Sequence, residues 1–335
     1  MCYRKQNLGT CWIALSSMIM AAIATSCLAQ PAADSVLMRR GEGREDLWRR
    51  GAIVAWEGDS LQLESNQRIR EIPNHQIIQI QTHWPEAYVE ALQAIDQGDF
   101  QASLGLLAKS LDVETRDWAK QIMRADLVRV SLATGRLEVA HSQFKSIMSE
   151  DPRSRFFGIC PLKWSHGGRY DLNFAVDLLD SNDGMDQLFA ASWLLDGPHR
   201  TAATKVMENL ASDIDARISR LAAVQLWRLR LSNMNSVNQR QLAIWQRQID
   251  ELPSSLRAGP YYFLGDLYSR LGDADTAALY WMRVPILYPE NLHLSAAALY
   301  QTSILLQKKN QTEEAGSLQA ELKLKYPESI WAQQL

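Results

Sequence analysis

From Pro85 to the C-terminus, apolar residues recur at three- and four-residue spacings, which lines them up on one face of an α-helix. Leu172–Leu179, Met185–Leu195, Thr201–Leu210, Ala216–Leu231 and Gln239–Leu252 all carry this pattern. Asp183-Gly184, Gly197-Pro198 and the stretch 233–238 punctuate it. Between Arg50 and Thr82 the period changes to two. Ala52–Trp56 stops at Gly58-Asp59, Leu61 and Leu63 alternate with Gln62 and Glu64, Arg68–Ile72 stops at Pro73-Asn74, and Ile78 and Ile80 alternate with Gln79 and Gln81. Such alternation between turn residues predicts an antiparallel meander of about four strands over 50–83. So short a sheet buries little surface alone, so it must lean on the helices that follow Trp84 and Pro85. Residues 30–49 mix small and charged residues without a sustained period and read as a linker.

One helical stretch carries more information than the rest. Within 258–289, Tyr261, Leu264-Gly265 and Tyr268 precede Gly272-Asp273, Ala277, Trp281 and Pro289. Small Gly265 and Ala277 let two antiparallel helices approach, with Tyr261, Leu264, Tyr268 and Trp281 filling the space beside that contact. Gly272 supplies the turn, and Pro289 ends the second helix. This spacing resembles the tetratricopeptide repeat. Gly272, Ala277 and Pro289 recur 38 residues later as Asn310, Ala315 and Pro327, giving a degenerate, capping-like unit over 296–327. Gly98, Ser103 and Leu107 recur 37 residues later as Gly135, Ala140 and Phe144, giving units of about 84–117 and 121–152. Between 171 and 253 the motif fades while the helices persist.

The resemblance implies a mainly α fold over 84–335, an α-α superhelical solenoid of hairpins that hold together only as a stack. It also implies a concave groove, lined by the first helix of each hairpin, that binds a peptide or protein. Its groove positions fall on Tyr262, Asp266, Ser269 and Arg270, with Tyr300 and Lys308 in the last unit.

The first 29 residues differ from everything after them. Arg4 and Lys5 precede an uncharged run, Trp12–Ala29, that ends in small residues. That is the layout of a secretory signal peptide, with cleavage expected after Ala29. Lipidation at Cys27 and retention as a membrane anchor are the alternatives, because the run is near spanning length. All three place the remainder outside the cytoplasm, and the latter two add membrane association. After cleavage Cys160 is the single cysteine, so no disulfide framework is expected and the thiol reads as buried and inert.

Composition adds limits. With 47% hydrophobic and 22% charged residues the chain can bury a core, and a net charge of −3 gives no global field for nucleic acid. The six His are scattered singly, so neither a metal site nor a cofactor is expected. The acidic run Asp180, Asp183, Asp186 lacks a cation-loop pattern and reads as a solvated helix end. Glu114, Arg116 and Asp117 read as salt bridging between hairpins. One stretch, 157–171, holds Cys160, Lys163, Trp164, His166 and Asp171, so an exported hydrolase or ligand-binding enzyme is the rival to a non-enzymatic scaffold. That rival needs Cys160, His166 and Asp171 to converge. Otherwise 157–171 is a loop with Trp164 packed on the helices, no residue is catalytic, and the partner is a protein or peptide.

Overall fold

The computed structural model describes residues 34–41, 45–167, 170–232, 237 and 239–335. The expected signal segment, 1–29, lies outside the described residues. The chain is mainly α-helical, with a small antiparallel sheet at its start. Five strands, β1 (Asp34–Met38), β2 (Leu47–Glu57), β3 (Ser60–Ser65), β4 (Arg68–Pro73) and β5 (Ile77–Gln81), are ordered β4-β3-β2-β1-β5. A flat sheet of this order would set its two edges about 19 Å apart. Only the turn Asn74–Gln76 separates β4 from β5, a reach of at most about 14 Å. The sheet therefore curls, and the register irregularity between Ile53 and Ala55 lets the long β2 serve both halves.

The expected linker is corrected here. Asp34–Met38 forms an inner strand, paired with β2 on one side and β5 on the other. Its five residues have no alternating pattern to betray it; pairing along both edges and one carboxylate hold it. Asp34 Oδ2 accepts from the Ile53 amide at 2.8 Å and Oδ1 accepts from Thr82 Oγ1 at 2.5 Å.

The sheet leans on helices, as its size requires. Trp118 and Ala119, at the start of α3 (Asp117–Ala133), complete the core of Val36, Ile53, Trp56, Leu61, Leu63 and Ile72. Arg116 donates to Thr82 Oγ1, the His83 carbonyl and Glu114, so this cluster ties the sheet to the helices rather than one hairpin to the next. The Arg155 guanidinium lies 3.5 Å from the centre of the Trp56 ring, and the Gly58 amide donates to Asp151 at 2.6 Å.

Twelve further helices are present among the described residues: α1 (Glu86–Asp96), α2 (Phe100–Val113), α4 (Leu137–Glu150), α5 (Asn173–Leu178), α6 (Gly184–Leu194), α7 (Arg200–Leu210), α8 (Ala216–Trp227), α9 (Gln239–Asp250), α10 (Ala258–Arg270), α11 (Ala274–Leu287), α12 (Leu292–Lys308) and α13 (Thr312–Lys325). They fill two cores. Tyr88, Phe100 and Met123 from the first helices share one with Tyr262, Trp281, Leu299 and Leu322 from the last. The other joins α4 to α5–α8 around Phe144, Phe189, Trp193 and Leu221. The chain thus leaves the first core, builds the second and returns. On return α12 packs against α3, Phe100 lies 6.5 Å from Tyr326, and a Cβ at Gly98 would overlap Pro327. The last hairpin is covered by the first instead of ending as a cap, because both carry apolar side chains on the faces that meet.

Asp186 is a further correction. It is buried, not solvated, and lies 2.9 Å from His141 Nε2 and 2.5 Å from Lys145 Nζ, with Ser181 Oγ donating at 2.9 Å. Those hydrogen bonds compensate the desolvation of its carboxylate and hold its pKa below the usual range.

Candidate functional site

Helices α3 and α8 contribute to both cores, and a non-helical segment, 160–167, packs against α8, α10 and α12 beside them. Its peptide groups are held individually. Trp193 Nε1 donates to the Pro161 carbonyl at 2.8 Å. The Lys163 amide donates to Ser192 Oγ at 2.8 Å, and the Lys163 carbonyl accepts from Gln225 Nε2 at 3.2 Å and Arg228 Nη1 at 2.9 Å. Arg228 is itself buried, donates also to the Ser192 carbonyl and Gln225 Oε1, and pairs with Asp196. A buried main-chain group without such partners costs free energy, so the segment and the side chains around it are mutually dependent.

The side chains of the segment are seated as well. Trp164 packs on both cores, and its ring lies where Gly259 of α10 has no side chain: a Cβ there would come within 2.0 Å of the ring. Ser165 Oγ and His293 Nε2 are 3.1 Å apart, and Lys163 Nζ lies 3.3 Å from Asp196. A Cβ at Gly167 would press on the Trp331 ring. Beneath the segment a small cavity of about 40 Å³ is lined by Arg129, Cys160, Trp164, Leu221, Gly259 and His293. Burial lowers the His293 pKa to about 4 and pushes the Cys160 thiol well above its ordinary value.

This arrangement corrects the expected groove. Tyr262 and Asp266 are buried, with Tyr262 among the largest fully buried side chains, so neither faces an open channel. His166 of the segment lies over Asp266, with Nε2 3.4 Å from Oδ2, and Trp281 Nε1 donates to the same carboxylate at 3.2 Å. Burial drives the Asp266 pKa up to about 7 against the opposing pull of the Trp281 hydrogen bond, Arg270 and Arg228. Ser269 is half-buried, and Arg270 and Lys308 are exposed. Tyr300 is half-buried, 5.4 Å from Trp331. The inner positions of α10 are thus covered by the chain's own segment, and those of α12 partly by its C-terminal turn.

The rival triad does not assemble. Cys160 lines the interior cavity, His166 turns to Asp266, and Asp171 accepts from the Asn173 amide at 3.0 Å at the start of α5. No hydrogen bond or ion pair among the described residues joins two of the three. The residues that sequence reasoning passed over are Ser192, Asp196, Gln225, Arg228 and His293. Each looks locally like a helix or loop residue of ordinary polarity, and only Gly259 beside Pro260 offered a signal, a helical position with no room for a side chain.

No family model, curated protein or solved structure matches this chain. The tetratricopeptide resemblance rests on its own residues.

Proposed function

We propose that the chain is a non-enzymatic interaction scaffold acting outside the cytoplasm. Its tetratricopeptide-like hairpins, clearest over 258–289, form a superhelical receptor for protein segments, and 160–167 is the resident occupant of the receptor site. The observation that supports this reading is the treatment of the Lys163 peptide. Its carbonyl and amide are met by Gln225, Arg228 and Ser192, contacts any sequence offers, while the notch over Gly259 selects an aromatic ring. Main-chain recognition with one side-chain pocket is how grooves hold extended peptides. The partner class is therefore a protein segment bearing an aromatic residue that competes with Trp164 for the notch.

A displayed peptide library panned on the Trp164→Gly chain tests this. Binders enriched in Trp or Phe, lost on Gln225→Ala and competing poorly on the wild-type chain, support the reading; binders without an aromatic preference refute it. One observation favours the enzyme reading: a buried carboxylate with a pKa near 7 beside a histidine is the kind of group that serves as general acid or base. Under that reading Asp266→Asn abolishes complementation of a deletion strain while the chain stays folded. Under the scaffold reading it complements.

A further inference from the structure

The outer end of the curled sheet carries a feature that the groove does not use. Arg49, Arg50, Arg68 and Arg70 line one cleft of about 730 Å³ together with Trp48, Leu63 and Ile69. An adjoining cleft of about 400 Å³ shares Leu47 and Arg49 with it and adds Arg39, Arg40 and His75. Among the described residues, no Asp or Glu lines either cleft. Strand register creates the cluster. The hairpin turn Asn66-Gln67, both residues at positive φ, sets Arg68 opposite Ser65 and Arg70 opposite Leu63. Pairing of β1 with β2 sets Arg49 opposite Val36 and Arg50 opposite Ser35.

What sets these guanidiniums apart is that four of them share one cleft, whereas several arginines of the helical part are matched to acids. Arg116, Arg124, Arg129, Arg217 and Arg228 each pair with a carboxylate. Among the described residues, none of Arg49, Arg50, Arg68 and Arg70 does, and Arg49 Nε is buried without an acceptor. Unpaired like charges held together on rigid strands repel one another, and a bound anion relieves that cost. Every basic residue between 34 and 82 other than histidine is arginine, whose planar fork binds phosphate oxygens two at a time.

We propose that this end of the sheet docks on an anionic lipid bilayer, with the arginines taking lipid phosphates. One observation chooses a bilayer over other polyanions. Trp48 and Ile69 are 40% and 63% exposed at the rim of the same cleft, where an amphipathic ring and an apolar side chain enter the headgroup zone beside the charges.

Partition coefficients of the full chain, from lipid titrations at low salt, test the proposal. The vesicles are pure phosphatidylcholine or phosphatidylcholine with a third phosphatidylglycerol. The uncharged run Trp12–Ala29 contributes alike to wild type and variants, so their ratio isolates the cleft. Replacing Arg50, Arg68 and Arg70 by Gln is expected to lower partitioning to the anionic vesicles by roughly a hundredfold. Partitioning to neutral vesicles should stay unchanged, and Lys109→Gln with Lys323→Gln should leave both unchanged. If the triple variant unfolds by circular dichroism, Arg68→Gln alone serves, with a fall of about fivefold. Equal anionic partitioning of wild type and variant overturns the proposal. So does tighter Arg-dependent binding to a short DNA duplex or to polyglutamate than to the anionic vesicles.

Discussion

Two glycines of α10 lie under tryptophan rings, and adding one methyl group to each separates a fixed contact from a displaceable one. At Gly265 a Cβ would land 2.3 Å from Trp281 Cδ1, and at Gly259 it would land 2.0 Å from Trp164 Cε2. A clash count alone makes Gly259→Ala the worse change. The surroundings reverse the order. Trp281 is buried in the core inside α11, and its Nε1 donates to Asp266, so retreat of the ring strains packing and strips a hydrogen bond from a buried carboxylate. Overpacking costs about 1–3 kcal/mol and the orphaned group a further 1–3 or so, against a helix-propensity gain of about 0.5–1. The net loss for Gly265→Ala is about 1–5 kcal/mol, centred near 3. Trp164 belongs to a non-helical segment that, as the proposed displaceable occupant, swings outward; on that reading Gly259→Ala should cost about 1 kcal/mol or less once the propensity gain of roughly 0.5–1 is counted. Urea unfolding measures both. In ¹⁹F spectra of 5-fluorotryptophan-labelled chain, with Trp164→Phe for assignment, only Gly259→Ala should shift the Trp164 resonance toward solvent. If Gly259→Ala destabilises as much as Gly265→Ala and the resonance stays put, the segment is not displaceable.

Asp266 gives a pH signature. Its folded pKa of about 7 lies above the ordinary carboxylate value, so the folded state holds the proton more tightly. Its contribution is present below about pH 4 and is lost as pH rises through 7. Asp266→Asn should therefore gain on wild type, by up to a few kcal/mol, between those limits; a constant difference refutes the assignment. Asp34→Ala leaves the Ile53 amide without its acceptor and should cost about 1–3 kcal/mol in thermal melts, with faster hydrogen exchange in β1 and β2. An unchanged melt contradicts the role given to that carboxylate. Cys160 should resist iodoacetamide in the folded chain and label fully in urea, since burial both hides the thiol and keeps it protonated. Rapid native labelling, read by peptide mass, would place the thiol outside the cavity.

Legibility followed period. Every helix that the three-to-four spacing marked between 171 and 253 is present within a few residues, and so are the four alternating strands, because each buries one face and that face is written locally. What escaped was non-local. Strand β1 depends on two partners rather than on its own alternation, and Asp186 is paired with Lys145 and hydrogen-bonded to His141, both from another helix. Tyr262 and Asp266 sit at positions that face a channel in an open solenoid. Here a segment a hundred residues upstream crosses over them, and no spacing within α10 signals that. The stretch 157–171 is unusual in composition, but what the structure does with it is seat 160–167 against α8, α10 and α12, without bringing Cys160, His166 and Asp171 together.

The central claim is that the site between α8, α10 and α12 receives a protein segment and holds its own by default. The most direct measurement replaces 160–167 by a Gly/Ser linker of equal length and titrates a fluorescent peptide of the native segment, following anisotropy. Saturable binding to the replaced chain is expected, abolished when the peptide's Trp164 becomes Ala, with no binding to the wild-type chain. A replaced chain that is folded by circular dichroism yet ignores the peptide would contradict the claim.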